Sequence, residues 1–371
     1  MPKALHDILE TLVRIPSVSG DTVHTNAVIE AVEKMLAEAS VEHVKTGEIN
    51  QVPYLVASSR PTDSHTVWFI SHLDVVPADK KMFQVTEDAD KYYGRGVFDM
   101  KGMAAAVLSA FLRVKSLPDI NVGLMFTTDE EIGGKNGVGT LAKENEFHGA
   151  AAYVLDQGTD FVLMEKMKGV LWLEVAATGT AAHGARPWLG DSANEKLISI
   201  LHEFGTWFKS AIPQDHPKQY FTTYNIGTIN GGEATNQVSD AARATIDVRF
   251  VSDSEAQHIE EALQAMAKKL DGVKISVLAR EPFVETDTTA KWFQATKKML
   301  ADLGEHQVKD GERLGHGSTD GRYFAPHRVP VISTRPPGGD QHGPDEWVSK
   351  AGLQKLEELV YRIMALTAQT D

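Results

Sequence analysis

The sequence predicts an α/β fold in which a largely parallel-sheet domain is interrupted by an inserted α+β domain. Three observations lead there. From about residue 52 to 166, apolar strand-like runs alternate with helical stretches, the pattern of a parallel sheet covered by helices. Between 168 and 284 the order changes to strand-helix-strand-strand-helix-strand, a ferredoxin-like unit with its own sheet. At 371 residues, the chain also exceeds what one ordinary core supports. The expected organisation is therefore 1–167 for the first part of the main domain, 168–284 for the insert and 285–371 for the second part.

Helices are expected first over Leu5–Val13 and Thr22–Glu38, separated by the turn-forming run Pro16-Ser17-Val18-Ser19-Gly20. Strands are expected at Tyr54–Ser58, Thr66–Ile70, Val122–Thr127 and Ala151–Leu155, with a helix over Met103–Val114. In the insert, Val170–Thr178, Thr222–Ile229, Ala242–Phe250 and Lys274–Ala279 read as strands, and Ala193–Phe208 and Glu255–Leu270 as helices. A helix over Ala290–Leu303 follows, then a glycine-rich loop, strand Pro330–Ser333, a second loop and helix Lys350–Ala368.

Composition narrows the function. Apolar residues at 42% and charged residues at 24% are globular values, which argues against bulk disorder. A net charge of −14 disfavours nucleic acid or an anionic membrane as partner, since both attract basic surfaces. The absence of cysteine excludes thiolate metal sites, disulfides and cysteine nucleophiles, so any metal must sit on nitrogen and oxygen. Charges in Met1-Pro2-Lys3-Ala4-Leu5-His6-Asp7 occupy the place of a signal peptide's apolar run, and no stretch is long enough to span a bilayer. A cytoplasmic protein is the expectation.

Five metal-ligating side chains follow or flank these strands: His72, Asp99, Glu131, Asp156 and His342, with Glu130 beside Glu131. Taken singly, each has an ordinary explanation as a structural histidine, a solvated acid pair or a helix cap. Taken together, two imidazoles and three carboxylates are donors for a pair of divalent ions, and the remaining carboxylate can move a proton. In open α/β sheets the carboxyl ends of the strands form the ligand crevice, so these distant positions are expected to converge. His72-Leu73-Asp74 adds an aspartate placed to orient the imidazole.

These stretches also carry a resemblance. Ser71-His72-Leu73-Asp74-Val75-Val76-Pro77, Gly94-Arg95-Gly96-Val97-Phe98-Asp99-Met100-Lys101-Gly102 and Thr128-Asp129-Glu130-Glu131-Ile132-Gly133-Gly134 resemble signatures of one di-zinc metallopeptidase family. That family includes acetylornithine deacetylase, succinyl-diaminopimelate desuccinylase, aminoacylase and glutamate carboxypeptidase. Ala182-His183-Gly184-Ala185-Arg186-Pro187, Gly317–Tyr323 and His342-Gly343-Pro344-Asp345-Glu346 are similar too, so the likeness spans nearly the whole chain. It implies that Asp99 bridges two metals, that His72 and Asp156 complete one, and that Glu131 and His342 complete the other. It further implies that Glu130 is general base and acid, that Asp74 orients His72, that Asp99-Met100 is a cis peptide, and that the insert is a lid of the kind that mediates dimerisation. His183 would then donate to the oxyanion, with Asn236 as a further polar lid contact.

The implied activity is hydrolysis of the amide bond of N-acyl amino acids or short peptides bearing a free carboxylate. Arg249, Arg322 and Arg335 are candidates to clamp that carboxylate, Arg335 being preferred for lying seven residues before His342. Zinc is the expected ion, and cobalt or manganese suits the same donors. Aspartate at position 156 is usual in carboxypeptidase-like and dipeptidase members, whereas Gly317–Tyr323 looks more like the desuccinylase side, so the substrate stays open. The alternatives are a dipeptidase or aminopeptidase with the same site, and a non-catalytic binding protein on this fold. A homodimer through the lid is the expected assembly.

Overall fold

The computed structural model describes residues 4–61, 65–144, 149–215, 220–305 and 314–369. The glycine-rich loop expected after the Ala290–Leu303 helix falls partly outside these residues. The described chain forms two compact units, one made of 1–166, 285–315 and 319–371, the other of 167–284 with His316–Ser318.

The first unit is built on a six-stranded sheet. Val67–His72 lies at its centre, parallel to Val122–Thr127 on one side and to Ala151–Val154 on the other. Val331–Ile332 extends the parallel set beyond Ala151–Val154. Every residue of the three central strands is buried, as expected where helices cover both faces. The other edge is antiparallel: Val52–Ser58 pairs with Val122–Thr127, and His43–Ile49 pairs with Val52–Ser58. The His43–Ile49 strand was not anticipated, because its partly exposed run His43-Val44-Lys45-Thr46-Gly47-Glu48-Ile49 lacks the apolar pattern of a core strand. Its turn is legible afterwards: Asn50 and Gln51 both have positive φ, 51° and 68°, suiting a two-residue hairpin.

Helix Lys101–Val114 is buried over nearly its whole length and packs in the core with Leu5–Arg14 and Lys350–Leu366. Lys101 itself is fully buried, and its ammonium donates to the carbonyls of Leu12 (3.0 Å) and Ile15 (2.7 Å), closing the end of the first helix. Gly102 permits this entry, because a Cβ there would lie 2.1 Å from the Val97 carbonyl oxygen. The Asp99-Met100 peptide is cis.

In the second unit the strand order is Thr223–Gly231, Ala241–Phe250, Gly169–Thr178, Val273–Glu281, all antiparallel. Helices Ala193–Ala211 and Asp253–Ala267 share a separate core with one face of this sheet. That is the ferredoxin-like arrangement, with ends within a few residues of expectation. Among the described residues, no helix is long and apolar enough to cross a membrane.

Candidate metal centre

The parallel register brings the candidate residues to one edge of the sheet. His72 ends its strand opposite Thr127, so Glu130 and Glu131 emerge beside it. Asp156 follows the neighbouring parallel strand by two residues. Two donor groups result, His72–Asp99–Asp156 and Asp99–Glu131–His342, each with its ligand atoms within 4.8 Å of one another. Asp99 belongs to both. Its Oδ1 lies 3.3 Å from His72 Nε2, and its Oδ2 lies 2.9 Å from His342 Nε2. His342 Nε2 is also 3.1 Å from Glu131 Oε2.

Asp74 organises this cluster from beneath. It is fully buried, its carbonyl lies 3.1 Å from His72 Nδ1, and its carboxylate lies 3.4 Å from the same nitrogen. The carboxylate also accepts from Ser19 Oγ (2.6 Å) and from the backbone amides of Glu130 and Glu131 (both 3.2 Å). Ser19 reaches it because Val18 bridges to Val75 in parallel fashion. Asp74 thus holds both His72 and the Glu130–Ile132 turn, a second duty that the sequence did not reveal. The turn closes through Gly133 and Gly134, at φ 107° and 61°.

Burial and crowding set the proton affinities. Burial, helped by nearby Asp320 and Asp99, pushes the Glu130 carboxyl up to about 8. Burial, with Asp99 and Glu130 alongside, holds Asp156 well above the usual carboxylate range. For Asp99, burial acts upward but is outweighed by hydrogen bonds with His342 and His72, and the group lies well below that range. Hydrogen bonds to Asp99 and then Glu131 raise His342 to about 10, against the opposing effect of burial.

The donors fit divalent ions. Glu131 Oε1 and Asp156 Oδ1 are buried without a hydrogen-bond partner, with the Arg335 guanidinium 3.8 Å from the latter, and such oxygens are costly unless a cation meets them. Nitrogen and carboxylate donors without sulfur suit zinc, manganese or cobalt.

Two of the candidate arginines lie beside the donor groups. Arg322 is 4% exposed; its guanidinium donates to the Gly133 carbonyl at 2.6 Å and lies 3.6 Å from Glu130 Oε1. Arg335 is 7% exposed, donates to Gln341 Oε1 and Thr159 Oγ1, stands 3.8 Å from Asp156 Oδ1 and stacks 3.9 Å above Phe98. Both guanidiniums are buried, and Arg335 Nη1 has no hydrogen-bond partner. Spacing along the chain near His342 said nothing about which way the Arg335 guanidinium turns. Gln341, directly before His342, donates to Asp99 Oδ2 at 2.5 Å, and nothing in the sequence distinguished it from a loop residue.

The remaining candidates lie in the second unit. His183 is exposed on a short antiparallel ribbon, opposite Gln237, and its Nδ1 accepts from the Ala185 amide. Asn236 adjoins it, its carbonyl accepting from Gly184 at 2.7 Å, so these two belong to one feature. Arg249 lies on the central strand Ala241–Phe250 and pairs with Asp247 at 2.9 Å.

Comparison with known proteins gives a consistent picture. The sequence model described as Peptidase family M20/M25/M40 matches residues 68–366. A probable carboxypeptidase of Paracoccidioides lutzii is 31% identical over 97% of this chain and 85% of its own length. Aminoacylase-1 of Sus scrofa is 30% identical over 72% of this chain and 70% of its own. Among solved structures, the M20 family metallo-carboxypeptidase Sso-CP2 of Sulfolobus solfataricus superposes with a TM-score of 0.77, covering 99% of this chain and 100% of that one at 18% identity.

Proposed function

We propose, on the premise that this chain belongs to peptidase family M20/M25/M40, that it hydrolyses the amide bond of N-acyl amino acids or short peptides bearing a free carboxylate. The observation that carries this reading is the pair of donor groups sharing Asp99, with Glu130 beside them. Two divalent ions would be held there, one by His72, Asp99 and Asp156 and the other by Asp99, Glu131 and His342. Such ions, when bound, acidify and position a water and polarise the scissile carbonyl.

The chain's own residues supply the proton traffic. Glu130 takes a proton from the attacking water and delivers it to the amine nitrogen as the C–N bond breaks, giving carboxylate and amine. Burial raises the proton affinity of Glu130 in the metal-free protein, and the positive charge of bound ions would act against that rise. Asp74 fixes the tautomer and ring orientation of His72 through Nδ1, leaving Nε2 for the metal.

The second unit acts as a lid in this reading. His183 donates to the oxyanion that develops in the transition state, and Asn236 adds a polar contact from the same ribbon. Arg249, Arg322 and Arg335 are the candidates to meet the substrate carboxylate, and Arg335 is preferred, its Nη1 being buried without a hydrogen-bond partner 3.8 Å from Asp156. Zinc is the native ion, the protein is cytoplasmic, and two copies pair through their lid units. Metal analysis of purified protein, with a panel of N-acyl amino acids and dipeptides assayed under added zinc, cobalt or manganese, tests the reading. Two ions per chain and metal-dependent amine release support it; no uptake and no release count against it.

A further inference from the structure

We propose that Arg95 and Glu346 form a buried clasp that sets the position of His342 relative to Asp99, and thereby the affinity of one of the two ion sites. Both are positioning residues, since neither offers an atom to the donor groups. The inference rests on the reading that Asp99, Glu131 and His342 hold an ion.

The two residues lie on loops that leave neighbouring strands. Lys91–Tyr93 pairs antiparallel with Trp347–Ser349, with Tyr93 opposite Trp347, and the Gly94 amide donates to the Glu346 carbonyl at 3.1 Å. One loop runs on to Asp99, and the other arrives from His342. Glu346 is fully buried. Its carboxylate accepts from the backbone amides of Gly96 (3.0 Å), Phe98 (2.9 Å) and Asp99 (3.0 Å), so the loop is wrapped around it up to the shared ligand. Arg95 completes the clasp. Its Nη1 donates to Glu346 Oε2 at 2.5 Å, and its Nη2 donates to the carbonyls of His342 (2.9 Å) and Gly343 (3.2 Å).

His342 is the donor that most needs such support. His72 ends a strand of the central sheet and Asp156 follows one by two residues. His342 sits on a loop with its side chain 47% exposed and its backbone at φ 64°, a left-handed conformation uncommon for a residue with a β-carbon. Asp340 ties the same loop by accepting from the Gly343 and Asp345 amides, but it contacts nothing that leads to Asp99 in that role. Gln341 reaches the Asp99 carboxylate with its side chain, and Arg95 links the His342 backbone to the loop that carries Asp99. A buried ion pair contributes little net stability compared with apolar packing, but it fixes geometry, and the planar guanidinium fork holds several acceptors at once.

Arg95→Lys tests the clasp. Lysine keeps the charge opposite Glu346 but loses the fork that reaches the His342 and Gly343 carbonyls. Metal-stripped protein is titrated with zinc against a chelating indicator to obtain two stepwise affinities, and cobalt absorption spectra report the geometry of each site. The expected result is a weakening of one ion by about tenfold or more, with the other within about twofold of wild type and an altered cobalt spectrum for the weakened site alone. Glu346→Gln, which keeps an acceptor oxygen but not the charge, is expected to weaken the same ion. Wild-type affinities for both ions in either folded variant overturn the proposal, as does equal loss at both sites. Wild-type protein that takes up fewer than two ions overturns the underlying assignment of ligands instead.

Discussion

Replacing Asp74 by asparagine probes the least visible part of the site. The carboxylate accepts from Ser19 Oγ and from the amides of Glu130 and Glu131, and it faces His72 Nδ1. Asparagine keeps one acceptor oxygen and turns the other into a donor, so at least one of these donors loses its partner and meets an N–H instead. A buried donor left unpaired costs about 1–3 kcal/mol, and losing charge on the acceptor weakens the surviving bonds, so metal-free Asp74→Asn should be destabilised by about 2–4 kcal/mol. Because Asp74 also orients His72, metal affinity or turnover should fall about 10–100-fold. Denaturant unfolding of the metal-free protein measures the first quantity, and activity titrated against free zinc measures the second. A variant with wild-type unfolding and wild-type zinc dependence would refute the argument that Asp74 carries both His72 and the Glu130–Ile132 turn.

The other expectations concern protons, ligands and the lid. Glu130→Ala should retain both ions and lose turnover by about 10²-fold or more, whereas Glu131→Ala should lose an ion; reversed phenotypes would exchange base and ligand. His183→Ala should lower kcat by about 10²–10³-fold with metal content unchanged, and near-wild-type kcat with intact metal would remove it from the reaction. His342 at about 10 and Glu130 at about 8 both lie above their ordinary values of 6.5 and 4.5. Each contributes stability to the metal-free protein at low pH that is lost as pH rises through its raised value, whereas buried Lys101, lowered to about 7, acts in the opposite sense above pH 7, so the decline should show between pH 4.5 and about 7. Metal binding must displace those protons, so zinc affinity should rise over the same range, and calorimetry in buffers of different ionisation enthalpy should detect proton release. A pH-independent zinc affinity would contradict the site as described.

The parallel strands were legible because they are largely apolar runs bounded by turns, and the gathering of the candidate residues was expected from the rule that ligands collect at carboxyl ends. His72, Glu130-Glu131 and Asp156 converge as that rule requires. The edge strand His43–Ile49 was not legible, since an exposed edge carries charged and polar residues that also fit a loop. Side-chain direction was the second loss. Arg335 and Arg322 were named for their charge, and only the fold shows that Phe98 and the Gly133 carbonyl receive their guanidiniums. The clasp was hidden for a related reason. Arg95 and Glu346 stand 251 positions apart, and only the pairing of Tyr93 with Trp347 brings them together. His316–Ser318 joins the second unit by a return of the chain that no local pattern announces.

The measurement closest to the central claim pairs metal content with turnover in the same samples of wild type and Glu130→Ala. Purified protein is stripped, reconstituted with zinc, cobalt or manganese, analysed for bound metal and assayed for amine release from N-acyl amino acids and short peptides. The account predicts two ions per chain in both proteins, with release restored by metal in wild type and lost in the variant by about 10²-fold or more. Metal-independent release, or undiminished turnover by Glu130→Ala with both ions bound, would contradict it.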